Sequence, residues 1–115
     1  LGNIEHVDMG AIAELKEVME DDFGILIETF LNDSVERIAQ LQSTLDAQDS
    51  VEYGRAAHSF KGSCTNIGAI ALSQLCLHAE QRGKTGDLSD APETLKEIKV
   101  EFGVVKTILE ELIAN

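Results

Sequence analysis

The feature that most constrains this chain is an apolar series at helical spacing: Phe23, Ile27, Phe30, Val35, Ile38, Leu41 and Leu45. Steps of three to five residues keep such side chains on one side of an α-helix; on a strand they would scatter over both faces. A helix of that length, roughly six turns, has a solvated side and an apolar side, and the apolar side must be buried against other elements. The rest of the chain supplies partners of the same kind. A first helix starts at Asp8, a good N-cap, and carries Met9, Ile12, Leu15 and Val18. The acidic cluster Glu20-Asp21-Asp22 breaks it, and Asp21 or Asp22 caps the long second helix, which ends near Asp46. Asp49 or Ser50 caps a third helix, and Gly68 is placed to end it, because glycine takes the left-handed C-cap conformation without strain. A fourth runs from about Ala71 to Arg82 with Leu72, Leu75, Cys76 and Ala79 inward, and the stretch GKTGD closes it as a loop. A fifth begins at Ser89 or Asp90, tolerates Pro92 in its first turn, and carries Leu95, Ile98, Phe102, Val105, Ile108, Leu109 and Leu112.

Four substantial amphipathic helices with short connections predict an all-α chain: an antiparallel four-helix bundle with a short additional N-terminal helix. A length of 115 residues suits a single domain, residues 1–115, with one core. That core is expected to be aliphatic, since aromatics make up 4% of the residues and there is no Trp. No helix carries a second apolar stripe, which predicts a monomer. The net charge of −12 repels phosphate backbones and argues against nucleic-acid binding. No apolar run approaches the roughly 18 residues of a membrane span. The first residues lack the basic-then-apolar layout of an export signal, which predicts a cytoplasmic setting with Cys64 and Cys76 as reduced, buried thiols. The two cysteines also lack metal-ligand spacing.

The third helix carries residues that core packing leaves unexplained. At about 100° per residue, Tyr53, Ala56, Ala57, Cys64 and Ile67 cluster around Phe60, and His58 falls almost opposite. His58 is therefore expected in solvent. Gly54, Arg55, Gly62 and Thr65 lie on its side of the wheel, with Lys61 on the flank. Glycine inside a helix costs roughly 1 kcal/mol relative to alanine. Two glycines, at i−4 and i+4 from His58, suggest flanks cleared so that another macromolecule can approach it. Charge points the same way. Residues 51–84 hold four bases, Arg55, Lys61, Arg82 and Lys84, against two acids, Glu52 and Glu80, in an otherwise strongly acidic chain. Such a patch suits an anionic group or an acidic partner face. A neutral imidazole is a good nucleophile near pH 7, and a nearby lysine is a flexible cation for a phosphoryl group that must arrive and leave. No phosphate-binding loop or kinase signature accompanies them.

The segment AAHSFKGSCTNIGAIALSQLC, residues 56–76, resembles the histidine phosphotransfer (HPt) domains of multistep two-component relays. Their pattern is a His, an apolar residue two later, Lys-Gly-Ser, and a second Gly six residues after the first; here these are His58, Phe60, Lys61, Gly62, Ser63 and Gly68. The resemblance implies that His58 accepts a phosphoryl group from a receiver-domain aspartate and passes it to a response-regulator aspartate. It implies that Lys61 stabilises phosphoryl charge, that Gly62 admits the receiver, and that Glu80 is the second-shell partner of His58, holding its Nδ1 proton. Gly54, Arg55, Gly62 and Thr65 would line the docking face, with Ile4 or Met9 at its edge. The partners implied are response-regulator receiver domains and a hybrid sensor histidine kinase. The receiver would supply Mg²⁺; the chain itself would need no cofactor and would be a stoichiometric phosphocarrier rather than an enzyme. Two other readings fit the motif: the phosphotransfer module of a chemotaxis-type kinase, and a receiver-binding bundle that carries no phosphate. A metal-binding bundle lacks the expected Glu-x-x-His pairs. His6 and His78 match no role and read as ordinary surface residues.

Overall fold

The computed structural model describes residues 5–114. Five α-helices follow one another: α1 (Met9–Met19), α2 (Phe23–Asp46), α3 (Ser50–Ile67), α4 (Ile70–Thr85) and α5 (Ala91–Ala114). A single 3₁₀ turn, Glu20–Asp22, joins the first two. The connections after α2, α3 and α4 are short, so successive helices lie antiparallel side by side. α2 packs on α3, α3 on α4, α4 on α5, and α5 back on α2, which closes the four-helix bundle. α1 leans on α2 at one end.

Local chemistry sets the helix ends. The Asp8 carboxylate accepts from Ala11 N–H at 3.0 Å and starts α1. Asp49 accepts from Glu52 N–H at 3.1 Å and starts α3. Both caps occupy amide donors that the first turn leaves unpaired. Gly68 ends α3 at φ 78°, and Ala69 N–H then returns to the Cys64 carbonyl at 2.9 Å. Neither Asp21 nor Asp22 caps α2. The chain passes from the 3₁₀ turn into α2 in helical geometry, with no side-chain cap at Asp22.

All four Phe and the single Tyr lie inside, so the core is mixed rather than purely aliphatic. Tyr53 and Phe60 of α3 are fully buried against Ile27 and Leu41 of α2, Leu72 of α4 and Ile98 and Leu109 of α5. Each large side chain removed from water contributes about 1.5–3 kcal/mol. Cys64 and Cys76 are both buried free thiols, and the hydrogen bond with Cys76, reinforced by burial, pushes Cys64 far above the ordinary thiol range. The expected stripe of α2 is wrong at one place. Val35 is 60% exposed and Ser34 is buried instead, because Ser34 stands one turn on from Phe30 and Leu31. The Ser34 hydroxyl donates to the Phe30 carbonyl at 2.7 Å, which makes its burial tolerable.

The segment before α1 fixes one corner of the bundle. Asp8 N–H donates to the Gly68 carbonyl at 2.8 Å, Ala71 N–H donates to the Glu5 carbonyl at 3.1 Å, and Val7 is buried. His6 Nδ1 contacts Glu101 of α5 at 2.7 Å. Ile4 lies outside the described residues. Among the described residues no helix is long and apolar enough to cross a membrane.

Candidate functional site

His58 sits near the middle of α3 with its side chain 68% exposed. The adjacent α4 presents Glu80, whose side chain is only 6% exposed. One Glu80 oxygen, Oε2, lies 2.9 Å from His58 Nδ1; the other, Oε1, accepts from Lys61 Nζ at 2.6 Å. Lys84, one turn on from Glu80, reaches Oε2 at 3.3 Å. A buried carboxylate thus joins the histidine of one helix to lysines of both.

The electrostatics follow from that arrangement. The Lys61 ammonium, helped by His58 and Lys84 and opposed by burial, pulls the Glu80 carboxyl down to about 2. Near neutral pH Glu80 is therefore ionised and can only accept hydrogen bonds. A carboxylate that only accepts calls for a proton on His58 Nδ1, and an imidazole bonded in this way leaves Nε2 free of the contact. The sign of the pH effect is settled by the depressed value. Glu80 stabilises the fold fully above its ordinary value of 4.5, and this contribution is lost as pH falls toward 2. Urea unfolding at pH 6 and pH 3 is expected to show the parent losing about 1–2 kcal/mol more than Glu80→Gln over that interval; the lower end applies where water reaches Oε2 beside the exposed His58. Equal losses in the two proteins would rule out this contribution.

The two glycines beside His58 are not equivalent. A Cβ on Gly62 would meet nothing within 4 Å, so this flank is open. Gly54 is buried, contrary to the outward placement read from the helical wheel. Its Cβ would lie 3.3 Å from the Gly83 Cα and 3.5 Å from the Glu80 carbonyl oxygen. The wheel recognised one buried direction, whereas α3 has two: the core and the flank covered by α4. Gly54 and Lys61 both fall on that flank. Packing on Gly54 also explains why α4 continues to Thr85 and ends at Gly86, not at Gly83 as GKTGD suggested. Gly83 must be helical to make the contact.

The other candidates are placed as follows. Arg55 is exposed and pairs with Glu52 at 2.7 Å. Thr65 donates to the Lys61 carbonyl at 2.9 Å and shares a hydrogen bond with Ser73 of α4 at 3.1 Å. Met9 is 51% exposed. His78 contacts Asp90 through Nε2 at 2.7 Å. Arg82 also turns toward that end, to Asp87 and Asp90 at 3.4 Å. An open hollow of about 580 Å³ borders the histidine, lined by Val51, Gly54, Arg55, His58, Glu80, Gly83 and Lys84. Sequence reasoning missed Val51 and Gly83 and counted Lys84 only in the basic patch; the i+4 spacing from Glu80 was the available signal for its contact with that carboxylate. Among the described residues no cluster of His, Cys, Asp and Glu could hold a metal ion.

A profile of the Hpt domain matches residues 25–115. The chain belongs to the Hpt domain family. Among solved structures, the histidine-containing phosphotransfer protein B of Pseudomonas aeruginosa PAO1 superposes with a TM-score of 0.90 at 37% identity, over 92% of each chain. A curated relative, histidine-containing phosphotransfer protein 2 of Arabidopsis thaliana, is 26% identical over 106 residues, 86% of this chain and 68% of its own. The Hpt bundle of this chain therefore includes α3 and α4, the two helices that carry His58 and Glu80.

Proposed function

We propose that this Hpt domain is a phosphocarrier. His58 takes a phosphoryl group from the aspartyl phosphate of a receiver domain and passes it to a response-regulator aspartate in a multistep phosphorelay, with a hybrid sensor histidine kinase upstream. The observation that carries this reading is the 2.9 Å contact that occupies Nδ1 with Glu80 while the histidine stays 68% exposed. Nε2 attacks phosphorus, the bond to the aspartate oxygen breaks, and a carboxylate leaves. The ring becomes a phosphorylated cation whose Nδ1 proton is already held by an anion. Transfer needs in-line approach and neutralisation of charge. The receiver supplies the Mg²⁺, and the lysines around Glu80 supply the rest. The chain acts once per phosphoryl group, as a carrier in the cytoplasm, and needs no cofactor of its own.

Docking uses the stripe around His58: the open flank at Gly62, Thr65 beyond it, and on the other side the hollow bordered by Gly54 and Arg55. Gly62→Ala is expected to stabilise the helix by up to ~1 kcal/mol, since the new methyl meets nothing and alanine is the better helix former. The same methyl stands where the receiver must come close, and transfer is expected to slow by about tenfold, ~1.4 kcal/mol in the barrier. Thermal melts with single-turnover transfer check both; a faster or unchanged transfer would mean that the receiver does not approach over Gly62.

The direct test mixes a phosphorylated receiver domain with this chain and follows the label. An acid-labile, base-stable phosphoprotein is expected. Binding without any labelled product would favour a receiver-binding bundle. Labelling by a kinase domain alone would favour the phosphotransfer module of a chemotaxis-type kinase.

A further inference from the structure

The two halves of α4 are anchored differently. Leu72 and Cys76 point into the core from the first half; in the last two turns the buried positions are Ala79, Glu80 and Gly83. There α4 meets α3 backbone to backbone at Gly54. Such a contact sets how close two helices lie, but it offers no interlocking side chains to stop one rolling on the other. Glu80 belongs to this weakly keyed half. The opposite face of the same turns carries His78 and Arg82, each two residues from Glu80 and so about 200° round the helix. Both reach across to the start of α5. Asp90, one residue before that helix, takes His78 Nε2 at 2.7 Å and Arg82 Nε at 3.4 Å on the same oxygen, Oδ2. The other oxygen, Oδ1, is buried and has no hydrogen-bond partner among the described residues, and the same is true of the hydroxyl of Tyr53, a fully buried residue of α3. Burial, reinforced by the Asp90 charge, pushes the Tyr53 phenol up to about 12, so the carboxylate is felt in α3 as well. Asp90 stands where α3, α4 and α5 meet.

We propose that Asp90 is a positioning residue for the phosphotransfer site: by holding His78 and Arg82 it fixes the rotation of the second half of α4, and so keeps Glu80 against His58 Nδ1. The movement that it must prevent is small. A roll of about 10° carries a carboxylate roughly 6 Å from the helix axis through about 1 Å. Glu80 makes its contacts at 2.9 Å to His58 and 2.6 Å to Lys61, and hydrogen bonds of that length weaken steeply when stretched or bent. A misplacement of about 1 Å in a reacting site costs up to about 10²-fold in rate. The effect of Asp90 reaches the imidazole only through α4. His78, which matched no role in the sequence, is on this view half of the grip.

This inference rests on His58 being the phosphoacceptor, so its test uses two donors: a phosphorylated receiver domain and phosphoramidate, which needs no docking. Asp90→Asn is compared with the parent, with the double variant His78→Ala/Arg82→Gln, and with Phe23→Leu, which loosens the core at the opposite end of the bundle. Asparagine serves as well as aspartate just before a helix, so the start of α5 is preserved. The readouts are the ¹⁵N shifts of the His58 ring, the rate of phosphohistidine formation and the melting point. Asp90→Asn is expected to move the ring shifts and to slow formation from both donors by about fivefold. The double variant does the same from the α4 side. Phe23→Leu lowers the melting point and leaves shifts and rates as in the parent. Parent-like ring shifts or rates in Asp90→Asn overturn the proposal, whatever its melting point. So do parent-like shifts in the double variant, because Asp90 would then not act through its grip on α4. Shifts that move equally in Phe23→Leu overturn it as general loosening, and a loss confined to the receiver donor overturns it by assigning Asp90 to docking. No phosphohistidine in the parent from either donor removes the phosphoacceptor reading instead, and the ring shifts still report whether Asp90 holds Glu80 in place.

Discussion

His58→Gln is expected to fold as the parent does and to accept no phosphoryl group from any receiver domain, a loss of at least about 10³-fold. Nothing in the core depends on this side chain, which is 68% exposed. The carboxylate that it serves keeps Lys61 at 2.6 Å and Lys84 at 3.3 Å, and the glutamine amide can donate toward Oε2 as Nδ1–H does. What disappears is the proposed nucleophile. An amide nitrogen has no free lone pair for phosphorus, so the effect falls on chemistry and not on folding. Label transfer, with circular dichroism as the control, checks it. Residual labelling at the parent rate would place the acceptor elsewhere. The next group to examine would then be His6, whose Nδ1 is likewise held by a carboxylate, Glu101, at 2.7 Å. Loss of helicity in the variant would mean that His58 supports the fold after all.

The largest structural effect is expected from Gly83→Ala. A Cβ there would lie 2.5 Å from the Gly54 Cα, 2.7 Å from the Gly54 nitrogen and 2.9 Å from the Ser50 carbonyl oxygen. All three are backbone atoms of α3, so no rotamer change relieves the clash and the two helices must separate. Overpacking of this kind costs about 3 kcal/mol or more. The melting midpoint is expected to fall by about 10 °C or more. Separation would also draw Glu80 away from His58, since Glu80 lies one turn before Gly83 on the same helix. Slower phosphotransfer is expected even at temperatures where the variant is folded. Gly54→Ala is the milder control, because its nearest contact would be 3.3 Å. A Gly83→Ala variant that melts with the parent would show that the crossing of α3 and α4 has slack that these distances do not suggest.

Much of this was legible in the residues. The apolar series of α2 and α5 repeat at helical spacing, and burial follows them nearly residue by residue. Asp8, Asp49 and Gly68 mark helix ends through chemistry that operates within a few residues. His58 is exposed because it stands opposite Phe60 on one helix. Local pattern failed where two helices meet. Gly54 was read as a cleared flank and is instead half of a close backbone crossing. Gly83 was read as a helix terminator and is the other half. A glycine has no side chain to announce which it is, and only the partner helix distinguishes open space from contact.

Glu80 and its lysines draw the same line. The sequence by itself determined the helices, their caps, the exposed histidine and the composition of the α3 surface, because each depends on neighbours within about a turn or two. Only the tertiary structure decided that Glu80 is buried and that it is shared by His58, through Nδ1, and by Lys61 and Lys84. Those facts depend on the separation and register of α3 and α4, 22 residues apart in the chain at His58 and Glu80. That separation is set by two glycines in contact, a property of the pair that neither position carries alone.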